Sequence, residues 1–161
     1  MSKKNGILQR YLAADKKDRV YIMIDNYAVF EELIEVELRG IAYQLKQVMA
    51  TSEKYKGGFK ECSLSDPYYD DVEGIEELRR SILIIKMMRM DFAVMEKQIA
   101  ALRPSDRKLL ERIYMDDVKL ETIAEEEGTS YETSKTRVRR ARGRLRDNML
   151  DFWDRYQVYE F

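Results

Sequence analysis

Apolar residues recur at steps of three and four along most of this chain, the spacing that places them on one stripe of an α-helix. A short helix is predicted over 7–14. A longer pattern runs from about Tyr21 to Met49, through Tyr27, Phe30, Ile34, Leu38, Ile41, Leu45 and Val48. Segment 51–70 interrupts it with Gly57-Gly58, Ser63, Ser65 and Asp66-Pro67 and reads as a loop. The period returns at Ile75, Leu78, Ile82, Ile85, Met88, Phe92, Met95, Ile99 and Leu102. Asp70, Asp71 and Glu73 stand at the start of this second stripe, where a helix dipole favours negative charge. Two long stripes joined by one loop predict an antiparallel helical hairpin. The pattern alone leaves open whether they form a core within one chain or a coiled-coil seam that also serves self-association.

Arg103-Pro104-Ser105-Asp106 marks a break, with proline suited to a first helical turn and Ser105 and Asp106 suited to capping. Three further helices are predicted over 105–115, 119–127 and 131–155, and the fold class is all-α. The expected division is a hairpin over 1–102, used for oligomerisation or partner binding, and a second domain over 103–161.

Composition narrows the chemistry. The chain has no histidine and one cysteine, Cys62. It therefore lacks the commonest general base and metal ligand, and Cys/His zinc sites are excluded within one chain. No phosphate-cradling glycine loop is present, so an enzyme, a cofactor and a metal are not expected. No apolar run reaches the roughly 18–20 residues that span a bilayer, and Met1 to Gly6 lead into no apolar signal segment. A cytoplasmic protein with no membrane partner is expected; Cys62 on the loop reads as an incidental small residue.

The net charge of −1 conceals a strong separation. From Ser130 to Arg146, seven basic residues stand against Glu132 alone, whereas Asp116 to Glu127 holds six acids against Lys119. Local basic clusters, rather than the average, decide affinity for nucleic acid.

The segment from Lys119 to Arg146 carries the functional signal. Ile123 and Ala124 lie mid-helix, where a small residue lets a neighbour cross closely. Gly128 follows, suited to the left-handed conformation that ends a helix in a tight turn. Thr129 and Ser130 can cap the next helix. There Val138, Ala141, Leu145 and Met149 form a narrow apolar seam among arginines. A positioning helix, a glycine turn and a basic second helix make the layout of a helix-turn-helix.

These residues resemble region 4 of bacterial sigma factors. Leu102-Arg103-Pro104, Ile123-Ala124, Gly128 and Arg140-Ala141-Arg142-Gly143-Arg144-Leu145-Arg146 fall where that family has its Leu-x-Pro, Ile-Ala, turn glycine and basic helix end. Leu109, Leu110, Ile113 and Tyr114 match its first helix. The sequence departs at Ser134, where the family usually has Val or Ile; looser packing of the recognition helix is expected there. The resemblance implies binding of double-stranded DNA. Ser130, Tyr131, Glu132, Lys135, Thr136 and Arg139 are expected to face base edges or nearby phosphates. Glu132 suits a cytosine amino group and Lys135 a guanine. Arg137, Arg140 and Arg142 are expected to hold phosphates. Glu125 to Glu127 either neutralise arginines or face a protein partner.

Residues 20–100 do not look like the promoter-melting region of a full sigma factor. A helical hairpin before a region 4-like module is similar instead to small phage-encoded regulators of the ArpU and RinA type. The Ser65-Asp66-Pro67 loop adds to that likeness. It implies an activator of late genes acting with host RNA polymerase, with a homodimer as a further expectation. A divergent sigma factor and a structural DNA adaptor in phage packaging are the alternatives. The aromatic tail, Phe152 to Phe161, either packs back on the hairpin or forms a partner surface.

Overall fold

A computed structural model describes residues 5–53 and 67–156, and every regular element among them is helical. Helix α1 spans Asn5–Ala13, α2 Lys16–Asp25, α3 Tyr27–Glu53 and α4 Pro67–Ala101. Then come α5, Pro104–Leu110, a π-helical turn over Glu111–Met115, α6, Leu120–Glu127, and α7, Tyr131–Tyr156. No helix among the described residues is long and apolar enough to cross a membrane.

The single pattern expected from Tyr21 to Met49 is two helices. Asn26 ends α2 at φ −115°, ψ 24°, and its side-chain amide donates to the Ile22 carbonyl at 2.7 Å. Its backbone carbonyl in turn accepts from Val29 and Phe30, starting α3. The short turn between α1 and α2 is closed from both sides. Asp15 caps α2 by accepting from the Asp18 amide at 2.9 Å. The Arg19 guanidinium donates to the carbonyls of Tyr11, Leu12 and Ala14 at 3.0–3.1 Å, satisfying groups that the end of α1 leaves without helical partners. Helix α3 continues to Glu53 and α4 already starts at Pro67, a proline at a first helical position. The expected loop is thus shorter than 51–70; what remains of it, with Cys62, lies outside the described residues.

The chain forms two compact units that do not follow the expected 102/103 division. Unit 1 joins residues 1–31 to 91–161, and unit 2 is 32–90. The physical reason is that the N-terminal helices pack with the C-terminal ones. Helix α7 packs against α2, α5 and α6, and α1 packs against α2. Tyr11, Met23, Ile24, Phe30, Met95, Ile99, Leu110, Ile123, Leu145 and Met149 are at most 1% exposed. Burying one such aliphatic side chain contributes about 1.5–3 kcal/mol. Phe30 stacks on Phe92 with centroids 5.5 Å apart, and Tyr11 tilts against Phe30 at 5.4 Å.

One polar cluster sits in this core. The Tyr11 hydroxyl donates to Asp91 Oδ2 at 2.6 Å, and Trp153 Nε1 donates to Oδ1 at 3.1 Å. Asp91 therefore ties α1 and α7 to α4. Burial pushes its carboxyl above the ordinary aspartate value of 3.8, against the two donated hydrogen bonds. Burial, then the neighbouring Asp91 charge, likewise raises the Tyr11 phenol, so Tyr11 remains the donor. Of the aromatic tail, Trp153 is 5% exposed and packs inside unit 1, while Tyr156 is exposed and 157–161 lie outside the described residues.

Within unit 2, Ile34 and Ile41 on α3 and Ile85 and Met88 on α4 are buried, at positions of the two apolar stripes. Arg89 binds Glu35 across the two helices.

Candidate nucleic-acid interface

The turn between α6 and α7 is built as the sequence requires. Gly128 caps α6 in the left-handed region, φ 65°, ψ 29°. Its amide donates to the Glu125 carbonyl at 3.2 Å, and the Thr129 amide donates to that of Ala124 at 3.0 Å. Ser130 Oγ then accepts from the Thr133 amide at 3.1 Å and starts α7. Ser134 does not loosen this junction. It is fully buried, with its hydroxyl 3.0 Å from that of Thr129, so a polar pair fills the place of a branched apolar side chain. Ile123, Ala124, Ala141 and Leu145 close the space between α6 and α7, each at most 4% exposed.

The approach to α6 is less regular. Asp116 donates its amide to Glu111, and Val118 to Arg112 at 2.8 Å, over a π-helical turn. Asp117 follows at φ 54°, a conformation that aspartate tolerates better than most residues. Ser105 and Asp106 do not cap α5, whose N-cap position is Arg103 without a side-chain cap bond. Asp106 is 7% exposed and instead takes Arg103 Nε at 2.8 Å and Arg144 Nη1 at 2.8 and 3.0 Å.

The seven basic residues of α7 up to Arg146 separate into two groups. Four are bound within the protein. Arg137 pairs with Glu127, and Arg144 with Asp106. Arg146 donates to Asp147 at 2.9 Å and to Tyr21 at 3.2 Å. Arg142, expected on a phosphate, is turned inward. It binds Asp25 and donates to the Tyr114 hydroxyl at 2.5 Å, with its guanidinium carbon 4.9 Å from the Tyr21 ring centroid. Burial opposes its charge, but the bonds to Asp25 and Tyr114 outweigh burial and raise its pKa. Its side chain is 23% exposed. Arg142 is thus a structural residue that anchors α7 to α2.

The second group is Lys135, Arg139 and Arg140. All three are exposed, and none has an ion pair among the described residues. Tyr131 and Glu132 are exposed beside them, and Thr136 is half-buried, with its hydroxyl donating to the Glu132 carbonyl at 3.0 Å. At 100° per residue, Glu132, Thr136, Arg139 and Arg140 share the face of α7 opposite Ser134, Ala141 and Leu145. Ser130 serves as the cap at its end. Of the three glutamates, Glu126 pairs with Arg112 at 2.6 Å and Glu127 with Arg137, so two of them neutralise arginines.

A solvent-facing, partly basic first half of a helix, held by a glycine turn across a shorter helix, is the geometry that enters a major groove. Residues 93–145 match the family model of sigma-70, region 4. The match covers about a third of the chain. It starts within α4, ahead of Arg103, so the end of α4 belongs to the region 4-like module, consistent with burial of Met95, Ile99 and Leu102 in unit 1. It ends at Leu145, and the last turns of α7 extend the module. Neither the curated proteins nor the solved structures contain a match to the chain. The region 4-like module is a DNA-binding helix-turn-helix and marks a transcription-related protein. No cluster of potential metal ligands occurs among the described residues.

The groups that hold Arg142, Arg144 and Arg146 were not visible as partners in the sequence. Asp25, Tyr21 and Tyr114 stand far from α7 in the chain, and Asp106 has the appearance of an ordinary helix cap.

Proposed function

We propose that this protein is a non-enzymatic, sequence-specific transcription regulator that reads duplex DNA with the first half of α7. The observation that carries the reading is the division of the basic residues. Four arginines have partners inside the protein, while Lys135, Arg139 and Arg140 face solvent beside Tyr131 and Glu132. Glu132 and Lys135 lie near the N-terminus of the helix and are the base readers, accepting from cytosine and donating to guanine. Arg139 and Arg140 hold phosphates and set register.

The regulator acts with RNA polymerase. Its likeness to phage regulators of the ArpU and RinA type supports a role in late-gene activation, because a helical hairpin precedes the region 4-like module where a sigma factor has its promoter-melting helices. Selection of bound duplexes from a random pool by the full chain, at near-physiological salt, tests the reading. A defined motif is expected, and its position-specific change in Glu132→Ala and Lys135→Ala identifies the readers. An unselective pool, or a motif unchanged in both variants, overturns the assignment. Specific initiation by core polymerase with this protein alone would make it a sigma factor rather than an activator.

A further inference from the structure

The middle of unit 2 holds cations and no acids. Residues 38–50 of α3 and 78–90 of α4 contain six bases, Arg39, Lys46, Arg79, Arg80, Lys86 and Arg89, in a chain whose net charge is −1. Two of the six are neutralised from outside these segments. Arg89 binds Glu35 across the helices, and Arg79 pairs with Glu76 at 3.3 Å. Arg39, Lys46, Arg80 and Lys86 are exposed, and none has an ion pair among the described residues. Arginines of α7 are treated differently, with carboxylates set against Arg137, Arg142 and Arg144.

The partly exposed Glu35–Arg89 pair shows which cations share a side. At about 100° per residue, Arg39 lies about 40° and Lys46 about 20° from Glu35 around α3, and Lys86 about 60° from Arg89 around α4. Arg80 lies about 180° from Arg89, on the far flank. The two helices run antiparallel. Glu35 is 18 residues before the end of α3, and Arg89 is 22 after the start of α4. In a parallel pair the ends to be joined would be about 60 Å apart, beyond the roughly 50 Å that the connecting 54–66 can span. Arg39 therefore stands level with Lys86, and Lys46 follows about 10.5 Å further along α3. Glu32 before Arg39 and Glu76 beside Arg79 bound the patch. Tyr43, 63% exposed, stands between Arg39 and Lys46. Its hydroxyl accepts from the Gln47 amide at 2.7 Å and keeps its own proton to donate.

We propose that this side of unit 2 is a sequence-independent contact for the phosphate backbone of duplex DNA, held by Arg39, Lys46 and Lys86. Like charges that stand level with no acid between them repel, and a polyanion relieves that repulsion. A duplex carries one negative charge per roughly 1.7 Å of its axis, so a span of 10.5 Å presents about six. The two levels of the patch meet phosphate in any register, whereas an acidic protein surface would need carboxylates placed to match. Cations and a tyrosine hydroxyl are the groups that hold backbone oxygens without reading bases. The contact adds to the base reading by α7 and does not depend on it.

Binding of the full chain to two duplexes over a series of salt concentrations tests it. One duplex is no longer than the site that α7 occupies; the other carries the same site between unrelated flanks. On the flanked duplex, the triple variant Arg39→Gln, Lys46→Gln, Lys86→Gln is expected to bind more weakly. It should also flatten the slope of log K against log salt by about 2.7, at 0.9 for each lost phosphate contact. On the short duplex, wild type and variant should coincide. Sequence preference and helical circular dichroism should not change, since glutamine forms helix about as well as arginine or lysine. Arg80→Gln, on the far flank, should leave both slopes as they are. Equal slopes for wild type and triple variant on the flanked duplex would overturn the proposal. So would a flattening by Arg80→Gln as large as that from each of the three, which would make the effect one of overall charge. A chain that selects no motif would sink the α7 reading alone, because unselected duplexes of the same two lengths still compare the triple variant with wild type.

Discussion

The guanidinium of Arg142 is bound to the carboxylate of Asp25, 117 residues earlier, and lies over the ring of Tyr21. One of the most basic stretches of the chain therefore contributes a bolt between helices rather than a phosphate contact. Arg142→Ala removes a charged hydrogen-bonded pair and is expected to cost about 2 kcal/mol. For a chain of this size that lowers the melting temperature by about 4–8 °C. Arg140→Ala is expected to leave melting unchanged and to weaken binding to all duplexes alike. Paired thermal melts and binding isotherms of the two variants check the contrast; a stable Arg142→Ala with weakened DNA binding would contradict it.

Salt dependence counts the free cations. With Arg139 and Arg140 as the phosphate-facing set of α7, the slope of log K against log salt on a duplex no longer than the α7 site is expected to be about −1.8, at −0.9 per contact. Each alanine substitution in the set should flatten it by about 0.9. A slope twice as steep would mean that the internal pairs, Arg137 with Glu127 foremost, open on DNA.

Gly128 is a conformational rather than a steric requirement. A Cβ there would meet nothing within 4 Å, but the backbone sits at φ 65°. Gly128→Ala is expected to destabilise by about 1–2 kcal/mol, the cost of a side chain in the left-handed region, and Gly128→Asn by less. Chemical denaturation of both variants measures the difference, and equal losses would point to packing instead.

Asp91 sets a pH dependence. Its folded pKa lies above the ordinary 3.8, so the folded state binds this proton more tightly than the unfolded state does. Its favourable contribution is fully present below the unfolded value and is lost as pH rises through the folded value. Asp91→Asn should abolish this component. The stability difference between wild type and variant, followed by denaturation from mildly acidic to neutral pH, is expected to shift against the wild type as pH rises; a pH-independent difference would refute this.

The elements that come from local chemistry were readable in the chain. Gly128, the Ile123-Ala124 pair and the Ala141, Leu145 and Met149 seam all lie where spacing and residue type put them, because each acts within a few residues of its own position. The break at Asn26 was not readable, since apolar spacing continues on both sides of one hydrogen-bonded turn. Nor were the partners of the arginines. A guanidinium looks the same in sequence whether it faces phosphate or carboxylate, and Asp25 and Asp106 meet α7 only after the chain has folded back. The compact units were missed for the same reason: apolar stripes report that a face is buried, not against which segment.

The joining of the first thirty or so residues to the region 4-like module has a consequence for how that module comes into being. Contacts between chain segments so distant in sequence form late, because a long loop must close first. On the ribosome, α1 and α2 emerge early and wait for α7, leaving Val20, Met23 and Ile24 without their native cover until then. Completion of the DNA-reading surface and burial of the N-terminal helices are one event. A fragment cut at the bounds of the family match would lack Asp25 and Tyr21, and would present Arg142 to solvent as surplus positive charge with an indiscriminate taste for any polyanion.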